Sequence, residues 1–392
     1  MNIQSISAII FILLMALFLI YKRKKITIQK ILGPLLYFVM YKTQIGIKLM
    51  EKIAKKFSKQ LKYIGYFGIF IGFVGMVLMT YALIQNIYMI ITQPGALPGV
   101  GLVLPFEVKG AFYVPFFYWI ISIFIIALVH EFSHGIIAKK YGMKIKSSGI
   151  AFLGILLPVI PAAFVEPDEK ELIKRPAKEQ LSVFAAGPFS NILLAFIIIG
   201  ITALIITPLS GAIANPNGVL ITGLIDGNYS AEQAGIQPSE IIKSIDYIPI
   251  QYLTNFSNVL EQRKSGDIIT LETDKGIYNV TLSKNPENNT KPYLGVFVQQ
   301  NTEIKESFIK RYGRFTPPII IWFMGLLYWL YVLNLGIGLF NLAPMGPLDG
   351  GRMLLVTLQK FLPEKKAIKY WKNIGFFFLT LILVNILHAF IN

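Results

Sequence analysis

Residues 111–135 read AFYVPFFYWIISIFIIALVHEFSHG, and the first 19 of them carry no charge. An uncharged run of about 20 residues is what a membrane-crossing helix needs at roughly 1.5 Å rise per residue. His130, Glu131 and His134 then arrive together in an H-E-x-x-H spacing. On a helix, positions i and i+4 share a face, so both imidazoles point the same way and can grip one Zn2+. Glu131 lies beside them, placed to activate a water at the metal. The chain has only 3 histidines, and two are spent here. A charged side chain in hydrocarbon costs roughly 2.5–3.5 kcal/mol on insertion scales, so three ionisable groups together require a functional explanation. The stretch reads as a metalloprotease centre built where water is scarce.

Composition supports that setting. The 392 residues are 54% hydrophobic and 15% charged, with a mean hydropathy of +0.60, which is the integral membrane class. The net charge of +16 does not indicate nucleic acid, because much of the basic excess sits beside apolar spans. Between Lys22 and Lys62 there are twelve Lys/Arg against one acid, Glu51, as expected of a cytoplasmic segment facing anionic lipid. With no cysteine, disulfide and thiol chemistry are excluded. Residues 1–20 lack a basic leader and an A-x-A cleavage site, so they read as an uncleaved first span.

Hydropathy predicts a polytopic helical protein with about six spans, at residues 3–21, 63–92, 111–137, 181–208, 316–340 and 374–391. Residues 31–41, interrupted by Gly33 and Pro34, are too short to span. With their lysine-rich continuation to Lys62 they read as interfacial and amphipathic. Positive-inside bias puts residues 22–62, 139–146 and 352–372 in the cytoplasm and the loop 93–110 outside. The basic stretch 305–314 then falls outside, after a long translocated segment that weakens the rule. The expected organisation is a first span with a basic segment (1–62), membrane core (63–210), an extracytoplasmic domain (211–310) and a closing membrane segment (311–392).

Two insertions interrupt the spans. In residues 143–167, SSGIAFLGILLPVIPAAFVEP is apolar yet broken by Gly149, Gly154, Pro158 and Pro161. A re-entrant hairpin packed on protein fits it better than a spanning helix. Residues 211–299 alternate short strands such as GVLITGLI, DIITLET and YNVTL with turns, and hold one helical stretch at 254–264.

A zinc site needs a third ligand. Asp349 lies in FNLAPMGPLDGGRM, where Pro344, Gly346, Pro347, Gly350 and Gly351 break the helix. Irregular backbone at membrane depth is tolerated where it lines a cavity or a protein interface. His134 precedes Lys139 and Lys140 by five or six residues, about 8–9 Å on a helix, and Asp349 precedes Arg352 by three. Both halves of the site therefore sit near the same, cytoplasmic, surface.

The chain resembles the site-2 protease family of intramembrane zinc metalloproteases. The resemblance rests on His130-Glu131-Phe132-Ser133-His134, Gly187-Pro188-Phe189-Ser190-Asn191, Asn341-Leu342-Ala343-Pro344 and Leu348-Asp349-Gly350-Gly351, and covers residues 111–357. AEQAGIQPSEIIKSIDYIPI (231–250) is similar to the family's PDZ-like module, with Ser239-Glu240 in place of the usual Gly-Asp and Tyr247 in place of a Gly. The resemblance implies one Zn2+ on His130, His134 and Asp349, with Glu131 as general base. It implies Asn341 orienting substrate backbone, and Gly187, Asn191 and Pro344 supporting the site. It further implies a membrane-protein substrate cut in or beside its transmembrane helix, in regulated intramembrane proteolysis. The 143–167 hairpin is expected to hold that substrate extended by strand addition.

Other readings stand beside these. Asp349 alone is also a helix-cap residue, and Asn191 and Asn341 also suit hydrogen bonding between helices. A catalytically idle PDZ-containing scaffold is opposed by the intact Glu131. A metal transporter built on broken helices is opposed by the lack of an inverted repeat. No feature of the sequence sets an oligomeric state.

Overall fold

The computed structural model describes residues 3–32, 36–93, 96–155, 157–286, 288 and 291–391. Gly33 and Pro34, read above as an interruption, lie outside the described residues. The chain forms two compact units, Met1–Ile201 with Phe323–Asn392, and Thr202–Trp322.

The first unit opens with α1 (Ile3–Tyr21), strands β1 (Ile26–Leu32) and β2 (Leu36–Thr43), and α2 (Ile47–Lys56). It continues with α3 (Ser58–Thr92), β3 (Leu102–Leu104), β4 (Ala111–Tyr113) and α4 (Phe116–Lys140). Then come β5 (Ile145–Ile155), β6 (Leu157–Pro167) and α5 (Ala177–Ile201). After the second unit the chain returns through α6 (Thr316–Phe340), α7 (Asp349–Phe361) and α8 (Glu364–Ile391). Among the described residues, five helices are long and apolar enough to cross a membrane, and Ile6–Tyr21 is a shorter apolar helix.

Several boundaries differ from expectation. The third span begins at Phe116 rather than at residue 111, because Pro115 caps the helix and Ala111–Tyr113 pairs in parallel with Leu102–Leu104. The fourth starts at Ala177 and ends at Ile201, with a π-helical turn and a short helix completing it to Ile213. The last helix starts at Glu364, taking in lysines that hydropathy had assigned to a loop.

The larger correction concerns residues 22–62. Residues 26–32 and 36–43 are strands, and β1 pairs antiparallel with β2. Alternation of Ile26, Ile28 and then Tyr37, Val39, Tyr41 has the period of a strand. The amphipathic element is α2, which buries Ile47, Met50 and Ala54 and turns its lysines away. Strand β2 pairs with β5, giving a four-stranded sheet in the order β1-β2-β5-β6. Strands β5 and β6 thus pair antiparallel, and β6 is an edge strand packed along α4.

The helical core is small-residue packing of the kind membrane bundles use. Gly65, Gly68, Gly72 and Gly75 form a buried stripe on α3. Against the stripe lie Phe189 and Ala185 of α5, Met353 of α7, and Leu342. Ala138, Val183, Ala185, Leu342 and Met353 are nearly or fully buried in this cluster.

The second unit is a mainly antiparallel sheet in the order 277–281, 268–273, 241–245, 214–224, 296–304. Helix Leu253–Glu261 packs on it through Phe256 and Val259. Val219, Ile221, Ile242, Ile245 and Leu271 are fully buried at its centre. Glu240, 1% exposed, accepts hydrogen bonds from Thr273, Tyr278 and the Gln237 N–H.

Candidate metal centre

Helix α4 delivers His130 and His134 on one face, their ring centroids 4.7 Å apart. Asp349 is the first residue of α7, at the end of an irregular loop. Its Oδ2 lies 3.0 Å from His130 Nε2 and 3.3 Å from His134 Nε2. Both histidines are only 9% exposed. Among the described residues these three are the group of donors close enough to hold a metal ion, all within 4.8 Å of one another.

The donors fit zinc. Ligand atoms about 2.0–2.1 Å from a tetrahedral Zn2+ stand roughly 3.3 Å from each other. The chemistry also matches, since two neutral imidazoles and one carboxylate leave a fourth position open. Gly187 of α5 faces the donors, and a Cβ there would collide with Nε2 of both histidines. The space in front of the ligands is therefore kept by a missing side chain.

Partners behind the ligands orient them. His134 Nδ1–H donates to the Val183 carbonyl at 2.6 Å, which turns Nε2 toward Asp349. His130 Nδ1 lies 3.2 Å from the Asn191 carboxamide nitrogen. In that orientation the buried Asn191 Oδ1 has no partner among the described residues. Turned by half a rotation, the amide oxygen accepts the Nδ1 proton that a metal-binding Nε2 leaves in place.

Glu131 Oε2 accepts the Val165 N–H at 3.0 Å, so its carboxylate rests against strand β6. The Leu348-Asp349-Gly350-Gly351 turn is explained by close backbone approach. The Gly350 N–H donates to the Asn341 carbonyl at 2.8 Å, and Cβ atoms at 350 and 351 would strike the carbonyls of Leu342 and Met345. Pro344 is buried in this loop. The Asn341 side chain is half-buried, and no hydrogen bond joins it to the triad among the described residues.

The structure thus brings together His130, Glu131, His134, Asp349, Gly187 and Asn191. Sequence reading missed the Val183 carbonyl and the Val165 N–H, because a backbone group has no signature in the chain. It also missed strands β1 and β2 beside Glu131, although the alternation in 26–32 and 36–43 was a usable signal.

The profile of peptidase family M50 matches residues 118–382, more than half of the chain. The chain belongs to peptidase family M50. An uncharacterised protein of Methanocaldococcus jannaschii is 29% identical over 318 residues, covering 80% of this chain and 75% of that protein. Zinc metalloprotease RasP of Oceanobacillus iheyensis is 24% identical over 262 residues, 54% of this chain and 59% of its own length. A solved PDZ domain from the SdrC-like protein of Listeria monocytogenes is similar over 21% of this chain and 87% of that domain, at 16% identity and a TM-score of 0.19. This M50 chain is a zinc metalloprotease with helices able to cross a membrane, and the matched span contains the whole triad.

Proposed function

We propose that the chain is an intramembrane endopeptidase, hydrolysing a peptide bond in or beside the transmembrane segment of a membrane-anchored protein in regulated intramembrane proteolysis. The observation that carries this reading is the convergence of Asp349 on His130 and His134, which with the adjacent Glu131 lie on a largely apolar helix. His130, His134 and Asp349 would hold the zinc, which when bound supplies Lewis-acid activation of the scissile carbonyl and of water. Glu131 takes the proton of the attacking water and delivers it to the leaving amine. Asn191 and the Val183 carbonyl fix the imidazoles, Gly187 keeps the approach open, Pro344 shapes the Asp349 loop, and Asn341 offers its carboxamide to substrate backbone.

A helical substrate hides its carbonyls in i→i−4 bonds and must unwind before it is cut. Edge strand β6 runs beside Glu131 and offers a template for an extended segment. We read the hairpin β5–β6 as re-entrant, with α1 as a sixth span, the site near the cytoplasmic face and residues 211–310 as a PDZ-like extracytoplasmic domain. Flanking lysines support that sidedness.

The decisive experiment measures zinc and cleavage together in purified, lipid-reconstituted protein. Glu131→Gln should keep about one zinc per chain and abolish cleavage of a reporter transmembrane substrate. Cleavage that survives in this variant, or a wild type without zinc, refutes the reading.

A further inference from the structure

Glu131 lines a cavity of about 330 Å3 between α4 and one face of the four-stranded sheet. One wall comes from Tyr41, Thr43, Ile45, Gly46 and Met50, all upstream of the span that the family profile matches. The register places Tyr41, Ile150 and Ala163 in one row across the sheet, and Thr43, Ser148 and Val165 in the next but one. These are same-face positions, and Val165 is the residue whose N–H meets Glu131. An extended chain added to the edge of β6 would turn every second side chain toward this face.

The N-terminal wall is pinned. Thr43 Oγ1–H donates to the Ser148 carbonyl at 2.9 Å, Ser148 Oγ–H to the Ile45 carbonyl at 2.6 Å, and Gln44 Nε2–H to the Lys146 carbonyl at 2.9 Å. Gly46 turns the chain at φ +83°, and even a Cβ there would touch Phe132. The Thr43 and Ser148 hydroxyls are therefore used to hold the wall, leaving Tyr41, the apolar groups and Glu131 to meet a ligand. An apolar cavity of about 150 Å3 holds a benzene, so this one has room for a phenyl-sized side chain and more.

We propose that residues 41–50 form one wall of a substrate side-chain pocket, that it takes a large apolar side chain flanking the scissile bond, and that Ile45 sets its size. Ile45 lines the cavity yet is 77% exposed, so changing it alters the pocket and not the core. The inference rests on the proteolytic reading, because the occupant is the substrate of Glu131.

The test uses the reconstituted full chain, loaded with zinc, and reporter transmembrane substrates carrying Ala, Leu or Phe at each position flanking the cut. Ile45→Trp should lower the Phe-to-Ala ratio of kcat/KM about tenfold at one flanking position, and Ile45→Ala should raise it. A second readout needs no turnover: in Glu131→Gln, reporter peptides bearing a benzophenone amino acid at that position should crosslink to residues 41–50. Unchanged ratios in both variants, or crosslinks absent from 41–50, overturn the pocket. Cleavage that persists in Glu131→Gln instead overturns the proteolytic reading, so the two failures are distinguishable.

Discussion

Gly187 and Asn191 lie on one face of α5, a turn apart, and act on the metal-site imidazoles by opposite means, Gly187 on both rings and Asn191 on His130. Gly187 contributes by lacking a side chain. In Gly187→Ala the methyl must displace Nε2 of His130 and His134, and there is no flexible group to yield. The variant should fold and lose most of its zinc, read as metal per chain alongside thermal melting of the protein. Full zinc occupancy would show that the rings move aside. Asn191 contributes a hydrogen bond to His130. Partners of this kind are worth about 10–100-fold in metal affinity, so Asn191→Leu should weaken zinc binding by that order in a chelator competition. Wild-type affinity in that variant would assign the residue to helix packing instead.

Between elements, the contact that matters most joins strands β1 and β2 to strands β5 and β6. Lys42 Nζ lies 2.8 Å from Glu166 Oε2, which also accepts from Ser147 Oγ at 2.6 Å, so β2 is tied to β6 across β5. Burial pushes the Glu166 carboxyl up, but hydrogen bonds from Lys42 and Ser147 and the charges of Lys42 and Lys146 outweigh it and hold the pKa below its ordinary value. A carboxyl depressed in the folded state contributes stability above its unfolded pKa, near 4.3 for glutamate, and that contribution is lost as pH falls through the folded value. The pair is more than one-third exposed, so about 0.2–1 kcal/mol is the scale to expect. Hydrogen exchange of residues 36–43, corrected for intrinsic rate, should therefore lose protection a few-fold on acidification below pH 4. Glu166→Gln should remove that pH dependence. Equal dependence in the variant would place the acid-sensitive contact elsewhere.

For the molecule as a whole, the sequence supports a topology that experiment can read directly. The chain has no cysteine, so a single introduced thiol is an unambiguous reporter. Lys59 lies in the first turn of α3 and Lys275 in a bend of the second unit, and both are exposed. In sealed cells, Lys275→Cys should react with a membrane-impermeant maleimide, whereas Lys59→Cys should react only after the membrane is opened. The reverse pattern would invert the orientation and put the metal centre near the outer face.

Much was legible without coordinates. Hydropathy and helical period are local, so the apolar spans and the shared face of His130 and His134 follow from neighbouring residues. The strand-rich insertion shows as alternation within a few residues. What needed the folded chain is what long-range packing creates. Asp349 reaches His130 across 219 residues, and β2 pairs with β5 across 105 at Thr43 and Ser148. Val165 N–H and Val183 C=O act as backbone groups, which every residue carries, so no choice of amino acid marks them out. The local code thus names the donors and the membrane; the wall beside Glu131 exists only because distant strands meet, and their meeting is a property of the whole core rather than of any segment.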